Sequence, residues 1–313
     1  MADAGAPALQ LEDLSGDPKR QRTETFVRGF LFAAALLSVV VSALIIVSLV
    51  RESWTYVTEV GWRDQVFASE GWFPRRGIYS VSTLVVGSLI VTAVGMAVAV
   101  PIGLAAAVYL SEYASKRVRR VLKPTLEVLA GIPSVVIGFF TLTFIAPEVV
   151  QNLRDGTPQQ TMFAAGLGVG LLIIPLVASV SEDAMRSVPD ALREASYGMG
   201  AKKITTTVRV VLPAAISGLT AAIIIAISRA IGETMVVFIA AGRSGGALFE
   251  TDPFQPGLTM TAAMASVASG TDSVVGEGLT FQSLFFVGAL LFVVTLTLNL
   301  IADRFVRRVR QKY

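Results

Sequence analysis

Cysteine and histidine are both missing from this chain of 313 residues. The first absence removes disulfides and thiol chemistry. The second removes imidazole metal ligands and imidazole proton relays. Charge is scarce too: Asp, Glu, Lys and Arg make up 16% of the residues, against about 25% in soluble domains. No GxxxxGK[ST] phosphate loop occurs, and GMGAKK at Gly198–Lys203 lacks the spacing that wraps amides around phosphates. No nucleophile–base pair stands out. The chain is therefore expected not to be an enzyme, to bind no metal or cofactor itself, and to have no nucleic-acid partner.

Apolar sequence is what remains, at 53%. A helix needs about 20 mostly apolar residues to cross a bilayer. Six stretches qualify: Phe26–Val50, Ser80–Leu110, Val121–Pro147, Thr161–Val180, Ala214–Ala241 and Phe281–Ala302. The expected fold is all-α, a polytopic membrane protein with six transmembrane helices. Residues 1–23 read as a flexible cytoplasmic tail rather than a signal peptide, because no short apolar region is followed by a small-residue cleavage site. Residues 24–313 read as one transmembrane domain.

Orientation follows from Lys and Arg, which collect on the cytoplasmic side. Lys19, Arg20, Arg22 and Arg28 precede span one. Lys116, Arg117, Arg119, Arg120 and Lys123 lie between spans two and three, and Arg304, Arg307, Arg308, Arg310 and Lys312 follow span six. Between spans five and six, Arg243 stands alone against Glu250, Asp252, Asp272 and Glu277. Both termini are thus expected in the cytoplasm of a multi-pass cell-membrane protein. The outer loop 51–79 carries Trp54, Tyr56, Trp62 and Trp72, residue types that favour the membrane interface. Leu258–Gly270 looks helical but too short to span; a short outer helix and a surface loop are both open. Pro101, Pro133 and Pro175 can kink or break their spans. Gly131, Pro133 and Ser134 form the most suggestive candidate hinge or gate, with Ser134 able to satisfy a freed backbone group.

The inner loop, about 181–213, contains REASYGMGAKKITTTVRVVLPAA at Arg193–Ala215. Glu194, Ala195 and Ser196 are followed by three residues and Gly200, then by nine residues and Val210, Val211, Leu212 and Pro213. A short helix ended by Gly200 in the left-handed conformation suits residues 190–200. Pro213 suits the start of the next helix, where a missing N–H costs nothing. This spacing resembles the EAA motif of ABC importer permeases, with Ser196 and Val210 as departures. LSEYA at Leu110–Ala114, LEVLAGIPSVVIGF at Leu126–Phe139, LPAAISG at Leu212–Gly218 and RAIGETM at Arg229–Met235 resemble the permease subunits of bacterial phosphate importers, the PstC type more than the PstA type. The resemblance implies a MetI-like type I permease fold and a coupling role for Glu194, Ala195, Ser196, Gly200, Leu212 and Pro213. It also implies partners: a PstA-type second permease subunit, a dimeric PstB-type ATPase that uses ATP and Mg, and an extracytoplasmic PstS-type phosphate-binding protein. An importer of another oxyanion (sulfate, molybdate or tungstate), a secondary transporter and a membrane scaffold are the alternatives.

Arg229 and Glu233 are the strangest residues in the apolar sequence. In one unbroken helix they lie one turn apart and can pair. They share a face with Gly218, Ala222, Ala226, Gly232 and Ala240, opposite Ile224, Ile227, Ile231, Met235 and Phe238. A charge inside a membrane helix costs about 2.5–3.5 kcal/mol or more and is usually functional. The pair is either a structural lock or, as the resemblance suggests for Arg229, Glu233 and Thr234, part of the phosphate pathway, with Glu233 orienting Arg229.

Overall fold

A computed structural model describes residues 18–61, 70–242, 246–269 and 278–309. Residues 1–17 of the expected tail, Trp62, Arg243, Asp272, Glu277, Arg310 and Lys312 lie outside the described residues. So do the side chains of Lys19, Arg20, Arg307 and Arg308.

Two units emerge. In residues 1–51, helix α1 (Pro18–Val60) starts and runs through the first apolar stretch. Its apolar residues are exposed on every side, Phe30 at 65% and Leu44 at 63% among them. A helix that is hydrophobic all round belongs in lipid or against another membrane subunit.

The second unit, residues 52–313, opens with the last turns of α1. A hairpin of β1 (Trp72–Phe73) and β2 (Ile78–Tyr79) follows, paired Trp72 to Tyr79. Its tight turn closes on Gly77 at φ 73°. The expected interfacial aromatics divide. Trp54 is 69% exposed, whereas Tyr56 and Trp72 are buried, Tyr56 against Tyr79 and Phe286. Trp72 exchanges both backbone hydrogen bonds with Ala247.

Helix α2 (Val81–Val108) widens into a π-helical turn at Tyr109–Tyr113. It packs along α5 (Met162–Arg186), and glycines allow the approach: Cβ atoms at Gly95 and Gly103 would meet Gly166 O at 3.1 Å and Val177 Cβ at 2.7 Å. Small residues are how membrane helices pack closely. Both helices run unbroken through Pro101 and Pro175.

The third apolar stretch corrects the expected span Val121–Pro147. Residues 116–130 form a separate helix, α3 (Lys116–Ala130), with no buried residue. Its basic Lys116, Arg119, Arg120 and Lys123 recur at helical spacing, opposite exposed Val118, Val121 and Val128. The chain breaks at Gly131–Pro133 and resumes as α4 (Ser134–Phe140), which continues π-helically over Thr141–Val150.

Past α5 comes α6 (Asp190–Gly198), a short helix with no buried residue. A helical turn at Lys203–Thr206 and a π-helical stretch at Thr207–Val211 then lead into α7 (Leu212–Ile231). The fifth span is therefore shifted from the expected Ala214–Ala241. The helix stops at Ile231, and α8 (Met235–Ala240) starts beyond a break. Of the stretch Leu258–Gly270, the described residues 258–269 form no plain surface loop. Residues 260–268 form α9 (Met260–Ala268), packed in the core, with Met260, Ala262 and Ala263 at 1–2% exposure. Finally α10 (Gly278–Val309) runs alongside α7. Among the described residues, six helices are long and apolar enough to cross a membrane: Arg22–Val60, Val81–Tyr113, Ser134–Leu153, Met162–Arg186, Lys203–Ile231 and Gly278–Arg304.

Candidate functional site

The break between α7 and α8 separates Arg229 from Glu233. Gly232 ends α7, its N–H bonding back to Ser228 O. Residue 233 is then no longer on the helical face that holds residue 229. The expected Arg229–Glu233 pair is not formed. The Glu233 carboxylate, 7% exposed, instead accepts hydrogen bonds from the backbone N–H of Met235 and Val236 at 3.2 and 3.3 Å. It caps the first turn of α8, where free amides and the positive end of the helix favour a carboxylate. Its own carbonyl accepts from Thr261 Oγ1 at 2.7 Å, which stitches the break to α9. Thr234, half-buried, donates its hydroxyl to Gly232 O.

Arg229 lies in the last turn of α7. Its charge suits the negative end of the helix. The small-residue face exists: Ala222, Ala226 and Ala230 are buried, and a Cβ at Gly218 would meet Ala184 Cβ at 2.5 Å. Arg229 stands at the edge of that face and is exposed. Among the described residues its guanidinium has no ion pair and no hydrogen bond. One residue earlier, the Ser228 hydroxyl bonds Asn299 Oδ1 of α10 at 3.1 Å.

At Gly131–Ser134 the expected helix break is present, with Pro133 extended at ψ 131°. Ser134 does not perform the expected repair. Among the described residues its hydroxyl makes no hydrogen bond. The Pro133 carbonyl takes the Val136 N–H at 2.9 Å instead. Past this break, Gly138 of α4 lies against Ile239 of α8, so the two interrupted helices pack together.

The inner-loop motif folds into an exposed helix with a defined end. Gly200 takes φ 79°, and Ala201 N–H bonds Ser196 O at 3.1 Å. Glu194 and Ala195 face solvent, Met199 is 88% exposed, and Ser196 Oγ lies 2.8 Å from Thr206 Oγ1. Leu212 is half-buried against a small apolar joint of Ala107, Met185, Val188, Val211, Ala215 and Leu219. Pro213 is the second residue of α7, near the helix start as expected, and the π-helical stretch runs directly into that start.

Two buried charges escaped the sequence reading. Glu182, fully buried on α5, meets Arg119 at 2.7 Å and Lys123 at 2.8 Å, both from α3. Burial pulls the Lys123 ammonium down. Its bonds to Asp183 and Glu182 outweigh that and hold it above the usual lysine range. Glu112, in the π-helical turn after α2, meets Arg193 of α6 at 3.0 Å. Each acid closes a long apolar run in the sequence, and that position was the available signal.

Comparison with known proteins places this architecture. Residues 99–312 match the family described as binding-protein-dependent transport system inner membrane component. The chain belongs to that family. It is 30% identical to the phosphate transport system permease protein PstC of Mesorhizobium japonicum, over 88% of each chain. It is 34% identical to PstC 1 of Mycobacterium tuberculosis over 75% of each, and 31% identical to PstA 1 of that organism over 72% of this chain and 70% of the other. The fold is shared with a chain of the inward-facing MetNI methionine ABC transporter (TM-score 0.53, 20% identity, 77% of this chain and 97% of that one). It is also shared with a chain of a bacterial alginate ABC transporter bound to its periplasmic protein (TM-score 0.62, 16% identity, 92% and 98%). The chain is an ABC permease of MetI-like fold.

Proposed function

We propose that this permease is a PstC-type subunit of an ATP-driven phosphate importer. It forms half of the translocation path with a PstA-type subunit and receives phosphate from an extracytoplasmic binding protein. It couples through α6 to a dimeric ATPase that holds the ATP and Mg. In this reading Lys and Arg put both termini in the cytoplasm.

The observation that carries the reading is Arg229: an exposed arginine, without a partner among the described residues, in the last turn of an apolar helix in a chain whose relatives are phosphate permeases. Facing lipid there is unfavourable. A surface shared with the second permease subunit, opening on the anion path, gives the charge a partner. Guanidinium suits a passing phosphate because it stays charged and forks two N–H bonds onto its oxygens. Glu233, occupied as a cap, leaves Arg229 free to meet the anion. Thr234, at the same break, adds a hydroxyl.

The test is labelled-phosphate uptake by cells whose sole phosphate importer contains Arg229→Gln. Uptake is expected to fall at least about tenfold, the equivalent of about 1.4 kcal/mol, with the ATPase still co-purifying. Normal uptake would remove Arg229 from the path. Competition by sulfate, molybdate or tungstate as effective as that by phosphate would assign the importer to another oxyanion.

A further inference from the structure

Helix α6 has no buried residue, yet one of its side chains is held on all sides. Arg193 is 13% exposed. A guanidinium has five N–H donors, and here all five are used. Nε and Nη2 reach the two oxygens of Glu112 at 3.5 and 3.0 Å. Nη2 also donates to Met185 O at 2.9 Å. Nη1 donates to Val188 O at 2.6 Å and to Asp190 Oδ1 at 3.2 Å. The carbonyls of Met185 and Val188 lie at the C-terminal end of α5, where backbone oxygens lack helical partners. Glu112, 3% exposed, closes α2 and also accepts from Ser111 Oγ at 2.9 Å.

We infer that Glu112 and Arg193 are positioning residues for transport: a latch that delivers movement of α6 to the packed pair α2 and α5. The inference rests on the reading of α6 as the ATPase-docking helix. The covalent chain already ties α6 to α5 behind it and to α7 ahead. The latch adds α2, which has no covalent link to the inner loop, and binds the end of α5 in the same grip. Leu192, the neighbour of Arg193, packs into the apolar joint formed by Ala107, Met185, Val188 and Val211, so the connection is filled as well as charged. The latch is a strut rather than a switch. Opening it would leave the buried Glu112 carboxylate without its cation, which is strongly unfavourable. It therefore stays closed while α2 and α5 move with α6.

The test uses the complete transporter, with its ATPase and binding protein, in proteoliposomes. ATP hydrolysed and phosphate imported are measured together. Glu112→Gln and Arg193→Gln are expected to keep the ATPase bound while phosphate imported per ATP falls about tenfold. The double variant should be no worse than the weaker single, because both remove one interaction. Arg193→Lys, which keeps the charge and loses the fork, should fall between. A wild-type ratio in either Gln variant, or additive losses, overturns the latch; so does loss of the ATPase from Glu112→Gln, which reduces the pair to assembly. If Arg193→Gln fails to accumulate, Glu112→Gln and Arg193→Lys decide. Ala195→Arg on the exposed face of α6 separates the two readings. If its complex still forms, α6 is not the docking helix. If it fails to form while Glu112→Gln couples normally, the latch alone is wrong.

Discussion

Glu233 and Glu182 are both buried acids in apolar sequence, and their surroundings assign them different work. Glu233 meets only amides and caps α8, so an uncharged acceptor can replace it in part. Glu233→Gln is expected to import phosphate within about twofold of the native chain. Glu233→Ala removes the cap, with a loss of about 1 kcal/mol, and uptake should drop with it. If Gln is as damaging as Ala, the negative charge itself matters and capping is not the main role. Glu182 meets two cations of α3 at 2.7 and 2.8 Å. Glu182→Gln should destabilise the α3–α5 contact by about 2 kcal/mol, the scale of a hydrogen bond to a charged group. A lower unfolding temperature in detergent, next to unchanged Glu233→Gln, would show it. The contribution of Lys123 to this clamp does not change near neutral pH. A raised lysine contributes fully below its unfolded value of about 10.4 and is lost only as pH rises through the raised folded value.

Among the elements, the tight crossings set the tolerance. A Cβ at Gly87 of α2 would lie 2.4 Å from the carbonyl oxygen of Leu258, a backbone atom fixed by Met260 N–H donating to Ser88 Oγ at 3.0 Å. Gly87→Ala must push the α9 segment away, with an expected loss of about 1–3 kcal/mol from overpacking. Gly29→Ala on α1, where a Cβ meets nothing within 4 Å, is the stability control. Equal melting of the two variants would show that α9 yields freely. Apolar runs of membrane length announced the six long helices, because lipid demands them. The interruptions were harder to read. Pro101, Pro133 and Pro175 look alike in sequence, yet only Pro133 stands at a break; its neighbour Gly131 ends a helix whose basic face already sets it apart. Ile231–Met235 stays apolar enough to read as helix, so the i,i+4 spacing of Arg229 and Glu233 suggested a pair that the turn at Gly232 prevents. The inner-loop motif was legible because its spacing carries a geometry. Gly200 was expected in the left-handed region and is found at φ 79°. The Arg193–Glu112 contact was not legible, since it joins positions 81 residues apart and no local period relates them.

At the scale of the whole molecule, the proposed function fixes which end of each helix faces the cytoplasm. The latch, the apolar joint beneath it and the Glu182 clamp all gather where α2 and α5 meet α6 and α3. That end carries Lys116, Arg117, Arg119, Arg120 and Lys123, the charges that the positive-inside rule assigns to the cytoplasm. The opposite end of α5 meets a different set: Asp252 bonds Arg154 at 2.7 Å, and Phe254 stacks on Phe163. The Phe254 amide and the Arg154 guanidinium hold the Asp252 carboxyl below its ordinary value. Because the chain has no cysteine, one introduced thiol reports without background. Asp155→Cys, exposed beside that bridge, is expected to react with a membrane-impermeant maleimide in intact cells. Met199→Cys, on the 88% exposed tip of α6, should react only after the membrane is opened. The reverse pattern would put α6 on the outside, where no ATP is held for a partner to hydrolyse. ATP coupling through this loop would then fail together with the orientation. If both label in intact cells, the loop is reached through the transporter itself, and repeating the reaction with the binding protein loaded and unloaded would tell which state opens it.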